Sequence, residues 1–167
     1  MRATRGATPG SIEALWHRAY RLAFQVQRIY WRVVRPKITG AYVAVWHGDR
    51  LLVIENSYRR RLSLPAGGLG RGEAPIDAAL RELQEEVGIQ ARPEQLHFVA
   101  EIVSEAGYAE DHAHFYELLC EERPAVTIDR REVVWADFVS PKEALEEGVV
   151  DVVRQYLSRK QLPNAQP

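Results

Sequence analysis

An α/β fold, with a mixed sheet covered by helices, is what the chain predicts, and three observations carry it. Five short runs rich in β-branched and aromatic residues read as strands: Ala41–His47, Leu51–Glu55, Leu96–Val103, His112–Cys120 and Val133–Phe138. Helical periodicity interrupts them once, from Pro75 to Val87, and follows them from Ser140. That order, strands, helix, strands, helix, puts helices on the faces of one sheet. The third observation is bulk composition. With 167 residues, 46% hydrophobic and 27% charged, the chain suffices for one core.

In chain order, Met1–Gly10 is small and polar and reads as a frayed end. Ser11 can cap a helix whose apolar stripe runs through Leu15, Leu22, Val26, Ile29 and Val33 and stops before Pro36. Arg18, Arg21, Arg28 and Arg32 occupy its other face, with Glu13 the only acid. Three roles fit such a helix: packing on its own domain or in a homodimer, which is preferred; lying on a membrane surface; or acting as an acid-poor targeting segment. Residues 1–37 are therefore set apart as an N-terminal tail and amphipathic helix, residues 38–160 as the domain, and 161–167 as a tail. Gly48-Asp49 suits a two-residue hairpin turn between the first two strands. Tyr58, Arg59, Arg60 and Arg61 then form a short basic run. It suits a solvated loop, or, through Arg59 and Arg61, a grip on phosphate by paired guanidinium contacts.

Gly67–Ile89, GGLGRGEAPIDAALRELQEEVGI, is the stretch with chemistry in it. Pro75 sits in the first turn of the helix and Gly88 where a left-handed cap belongs. Glu82, Glu85 and Glu86 stand at i, i+3 and i+4, so three carboxylates emerge on one side and repel. A divalent cation removes the repulsion. Hard oxygen donors without Cys or His suit Mg2+, Mn2+ or Ca2+ rather than zinc, and Mg2+ characteristically binds together with substrate phosphates.

This stretch resembles the signature of the Nudix hydrolases, G-x5-E-x7-R-E-U-x-E-E-x-G-U, with U aliphatic. Gly67, Glu73, Arg81, Glu82, Glu85, Glu86 and Gly88 fill the fixed positions, and Leu83 and Ile89 the aliphatic ones. Chance agreement at the fixed positions is on the order of 10^-8 per starting point. The resemblance implies an α/β/α sandwich with a mixed sheet, to which the N-terminal helix is an addition. It implies a Mg2+-dependent hydrolase, with Mn2+ as an alternative cation, that cleaves a pyrophosphate bond in a nucleoside diphosphate linked to another moiety. Glu82, Glu85 and Glu86 would be the metal ligands, joined by the main-chain carbonyl of Ala66. Arg81 would orient the carboxylates, and Glu73 would brace the loop or reach a metal through water. Gly70 stands where family members often carry an acid. A general base is expected from outside the helix; Asp129, six residues before Trp135, matches a position used in several family members, and Glu132 is the second candidate. Tyr108 lies near a tyrosine of some dinucleoside polyphosphate hydrolases. Nucleotide sugars, dinucleoside polyphosphates and nucleoside triphosphates all remain as substrates. The alternative is a catalytically inactive nucleotide-binding or regulatory module, which would be expected to have lost signature carboxylates.

Other residues carry less. His112 and His114 alternate along a strand and read as its polar face rather than as ligands. Trp46 and Trp135 read as core, and the single Cys120 as an inert thiol in an apolar run. A net charge of -1 argues against extended nucleic acid as a partner. With no disulfide partner for Cys120 and no apolar run of transmembrane length, the expected location is the cytoplasm.

Overall fold

The structure is a computed structural model that describes residues 11–34, 37–106, 109–128 and 130–160. Its centre is β1 (Lys37–His47), buried almost continuously from Gly40 to Trp46. Such burial on both faces explains why AYVAVW is an apolar run rather than an alternation. Gly48, at φ 60°, turns the chain into β2 (Arg50–Asn56), with His47 opposite Arg50. β1 is long enough to hold two partners on one edge. β2 takes its far end, and the three-residue β3 (Ala66–Gly68) pairs with Gly40–Tyr42. Its other edge pairs in parallel with β5 (Ala109–Cys120), which pairs antiparallel with β4 (Leu96–Ala106). β6 (Val133–Val139) completes the order β4-β5-β1-β2-β6.

Helices cover both faces, as the fold class requires. α2 (Pro75–Val87) buries Ala78, Ala79, Leu83 and Val87 against Ala41, Val43, Leu52 and Phe138. It ends at Gly88, whose φ of 70° lets its N–H reach the carbonyl of Gln84. On the other face, α3 (Pro141–Glu147) and α4 (Asp151–Arg159) bring Ala144, Val153, Tyr156 and Leu157 onto Ala44, Trp46 and Phe115. Ser140 caps α3 with the reciprocal Glu143 contact, and Gly148, at φ 96°, separates the two helices. Among the described residues, no helix is long and apolar enough to cross a membrane.

The structure departs from expectation in three places. β3 has no sequence signal, since a three-residue strand containing two glycines carries no pattern. β4 and β5 run on to Ala106 and Ala109, into both ends of the polar SEAGYAED stretch expected to be a connection. Backbone pairing extends there without apolar side chains to announce it. The third departure is α1 (Ser11–Val34). Its apolar stripe, expected to pack on its own domain or in a homodimer, does not pack on the domain: Ile12, Leu15, Leu22, Val26, Ile29 and Val33 are 58–80% exposed. The opposite face docks on the domain: His17 Nε2 donates to the carbonyl of Arg130 at 2.9 Å, and Arg21 Nε to that of Ser57 at 3.1 Å. Tyr20 and Phe24 lie against Tyr58, and Arg131 sits over Trp16. Aromatic and hydrogen-bonding side chains hold the helix, and its aliphatic residues face outward.

Candidate active site

The site is organised by Arg81, which α2 places at the edge of its apolar stripe. Its guanidinium takes Glu73 in a bidentate grip, Nε to Oε1 at 2.9 Å and Nη2 to Oε2 at 3.0 Å. Nη1 reaches Glu82 at 2.5 Å and Glu85 at 3.5 Å, and Nη2 also donates to the carbonyl of Gly68 at 3.1 Å. One planar cation thus ties the loop to the helix. Gly70 N–H adds a bond of 2.6 Å to Glu73. The Arg81 contacts first, and that N–H second, pull the Glu73 carboxyl down to about 2. Glu73 is fixed as an anion.

Glu82 and Glu86 have the opposite electrostatics. Burial is the main cause that raises the Glu82 pKa, against the lowering effect of Arg81. Glu86 is 6% exposed and is pushed well above the carboxylate range, chiefly by burial. Its Oε2 accepts from Ala66 N–H at 2.8 Å and its Oε1 from Asn56 Nδ2 at 3.4 Å; the nearby charges of Glu132 and Glu82 oppose that relief. Glu85 is 62% exposed. Gly67 is where glycine is indispensable: a Cβ there would lie 1.9 Å from Glu82 Oε1. Its missing side chain is the space that the carboxylate fills.

Among the described residues, no three His, Cys, Asp or Glu side chains form a ready-made cation cage. Glu82 is turned onto Arg81 and Glu86 onto Ala66 N–H. The donors nevertheless fit a hard divalent ion. They are oxygen-only, two of them lack enough positive charge for their burial, and Glu82 is seated on bare backbone at Gly67.

Beside this cluster opens a cleft of about 1030 Å³. Ala66, Gly67, Tyr42, Asp111, Arg59 and Phe24 line it. The Arg59 guanidinium stands 4.8 Å from the Phe24 ring centroid and 5.7 Å from that of Tyr58. Arg61 also lines the cleft but is paired with Asp151 at 2.9 Å. Asp111 is 6% exposed; burial raises its pKa and the charge of Arg59 opposes this. Burial, then Asp111, pushes the Tyr42 hydroxyl above its ordinary range. Glu132 accepts a 2.9 Å bond from the Tyr58 hydroxyl.

The structure therefore gathers Ala66, Arg81, Glu82, Glu85 and Glu86, and places Arg59 and Arg61 on the adjoining cleft. Asp129 and Tyr108 lie outside the described residues. Sequence reasoning missed Asn56, Tyr42, Asp111, Phe24 and Gln27. Only Asn56 carried a signal, as the polar end of the apolar run LLVIEN. His112 lies between Glu101, at 2.6 Å, and Glu110, at 2.8 Å. Trp46 and Trp135 are buried, and burial raises the thiol pKa of half-buried Cys120.

An α/β/α sandwich carrying an arginine-tethered carboxylate helix beside a basic cleft defines a class of hydrolases that act on phosphoanhydrides. The comparison with known proteins gives the family. Residues 36–159 match the NUDIX domain, and the chain belongs to the Nudix family. It is 29% identical over 137 residues to a methanol dehydrogenase activator of Bacillus methanolicus, covering 78% of this chain and 68% of that one. It is 31% identical over 126 residues to an ADP-ribose pyrophosphatase of Bacillus subtilis, covering 72% and 65%. A match to an RNA pyrophosphohydrolase of Bartonella clarridgeiae reaches 48% but spans only 29% of that protein's length. Among solved structures, the fold is similar to a MutT protein from Methanosarcina mazei, with a TM-score of 0.67, 18% identity and coverage of 80% and 99%.

Proposed function

We propose that the chain is a Mg2+-dependent pyrophosphohydrolase, with Mn2+ as a substitute, that splits a nucleoside diphosphate linked to another moiety. The observation that supports it most is the gathering of Glu82, Glu85 and Glu86 beside Ala66 and Gly67, which line a cleft that also holds Arg59. A bound divalent cation would neutralise the anionic oxygens of the phosphate chain and make an attacking water more acidic. Glu82, Glu85, Glu86 and the carbonyl of Ala66 would hold it. Arg81 keeps the carboxylates in place, and Glu73, fixed as an anion, holds Arg81. Arg59 faces the cleft backed by two aromatic rings, and grips a phosphate or orients it together with Arg61. Asp129 takes the proton from water; Glu132, already bonded to Tyr58, is the positioning partner. Tyr108 contacts the nucleotide. The location consistent with this substrate class is the cytoplasm.

The test is a panel of nucleotide sugars, dinucleoside polyphosphates and nucleoside triphosphates, with and without Mg2+, with the products resolved by chromatography. Mg2+-dependent cleavage of at least one class is expected. Binding without turnover across the panel would instead select the second reading, a regulatory module, which the likeness to the methanol dehydrogenase activator favours.

A further inference from the structure

The geometry points to α1 as the dimerisation helix of this chain: its outward seam pairs with the same seam of a second copy in a parallel, two-stranded coiled coil. Ile12, Ala19, Val26 and Val33 stand seven residues apart, and Leu15, Leu22 and Ile29 stand seven apart between them. This is an unbroken a/d heptad over the length of the helix, with steps of three and four. β-branched residues fill three of the four a positions and leucine two of the three d positions, the choice that favours two parallel strands. The structure turns this seam away from the domain. Ile12, Leu15, Leu22, Val26, Ile29 and Val33 are each 58–80% exposed. His17 and Phe24, which hold α1 to the domain, stand at f, directly opposite the seam. Docking and pairing therefore centre on different faces of one helix; of the docking side chains named above, Trp16, at e under Arg131, borders the seam without occupying an a or d position.

Area and charge agree with a second copy. Side chains of this size bury roughly 60–120 Å² each, so seven of them, flanked at e by Trp16 and Tyr30, approach the standard interface of about 800 Å² per partner. In the parallel register, Arg18 at g faces Ala23 of the partner subunit, and Gln25 faces the partner's Tyr30. No like charges meet, and a two-fold axis along the coil places the domains on opposite sides.

Sedimentation of the full 19.0 kDa chain at tens of micromolar is expected to give a dimer, and Leu22→Lys with Val26→Lys a monomer. These side chains are exposed, so far-UV circular dichroism should be unchanged. A second variant tests the register without disturbing the fold: Leu15→Cys in a Cys120→Ser background, treated with an added two-electron thiol oxidant such as oxidised glutathione, should give a disulfide-linked dimer, because d residues meet their own copies only in a parallel coil. A monomeric wild-type chain would overturn the proposal, as would a dimer indifferent to the two lysines or failure of Leu15→Cys to cross-link. A monomer that floats with phosphatidylserine vesicles and loses them on Leu22→Lys with Val26→Lys would assign the seam to a lipid surface instead.

Discussion

Three residues separate chemistry from packing at the site. Glu85→Gln and Glu86→Gln keep shape and remove charge, so each is expected to abolish most Mg2+-supported turnover while circular dichroism stays unchanged; near wild-type kcat in both at saturating Mg2+ would remove the ligand assignment. Gly67→Ala is the sharper test, because it leaves every carboxylate in the sequence. Its methyl would occupy the position of Glu82 Oε1, so the carboxylate must swing away. A loss of roughly 10–100-fold in Mg2+ affinity or activity is expected, the range for a misplaced ligand support, read as a higher Mg2+ concentration at half-maximal rate. An unchanged Mg2+ titration would mean that Glu82 does not bind the ion. Asp129→Asn should lower kcat far more than it raises KM and remove the acidic limb of the pH-rate profile, with Glu132→Gln doing less. If both variants keep the limb, the base lies among the helix glutamates. The signature residues were legible because loop and helix bring them together within one short stretch. Asp111 was not, since it reaches the site through strand pairing, which leaves no spacing signal, and Asn56 showed only as the polar end of an apolar run.

At the scale of elements, what the sequence announced follows the energetics. α2 was legible to its cap because Pro75, the apolar periodicity and Gly88 agree; β1 and β2 were legible because they are buried on both sides, and β6 because it is a compact β-branched and aromatic run buried along one face. The ends of β4 and β5 were not, because their outer pairing is held by exposed polar contacts. His112 is one of these. Its bonds to Glu101 first, and then to Glu110, raise its pKa, while Glu101 and Glu110 are lowered chiefly by His112, and Glu110 also by Lys37 at 3.0 Å. A raised histidine contributes stability that is complete below its ordinary value of 6.5 and is lost as pH rises through the folded value. The lowered carboxylates contribute stability above their ordinary 4.5 that is lost as pH falls through the folded values. The cluster therefore stabilises the strand pair most between those limits. His112→Gln should lower Tm near pH 5.5 and much less near pH 8, and by less in high salt, since the groups are exposed. An equal loss at both pH values would assign His112 to packing.

For the molecule as a whole, the main question is what α1 adds to a domain that is complete without it. Neither core cluster contains an α1 residue. The helix lies over the loops at Tyr58 and Arg130, with Phe24 and Gln27 forming part of the cleft wall. The sequence set the helix apart by its pattern and left its apolar stripe to its own domain or to a second copy; the structure turns the stripe away from the domain, and an amphipathic period does not say which partner the apolar side is for. A wall residue that touches substrate away from the scissile bond binds ground state and transition state alike, so its loss raises KM and leaves kcat unchanged. Phe24→Ala removes one ring from behind Arg59 and leaves the exposed seam intact. An aromatic contact is worth about 0.5–1.5 kcal/mol, so KM should rise by about two- to twelvefold. Deleting residues 1–35 should do at least as much, with a folded, Mg2+-responsive domain left behind. Steady-state kinetics on both variants, with any substrate that the panel identifies, separates the possibilities. A kcat that collapses in Phe24→Ala while KM holds would mean that the helix shapes the reacting centre, and the wall assignment would fall; unchanged kinetics in both would leave α1 with no part in the cleft.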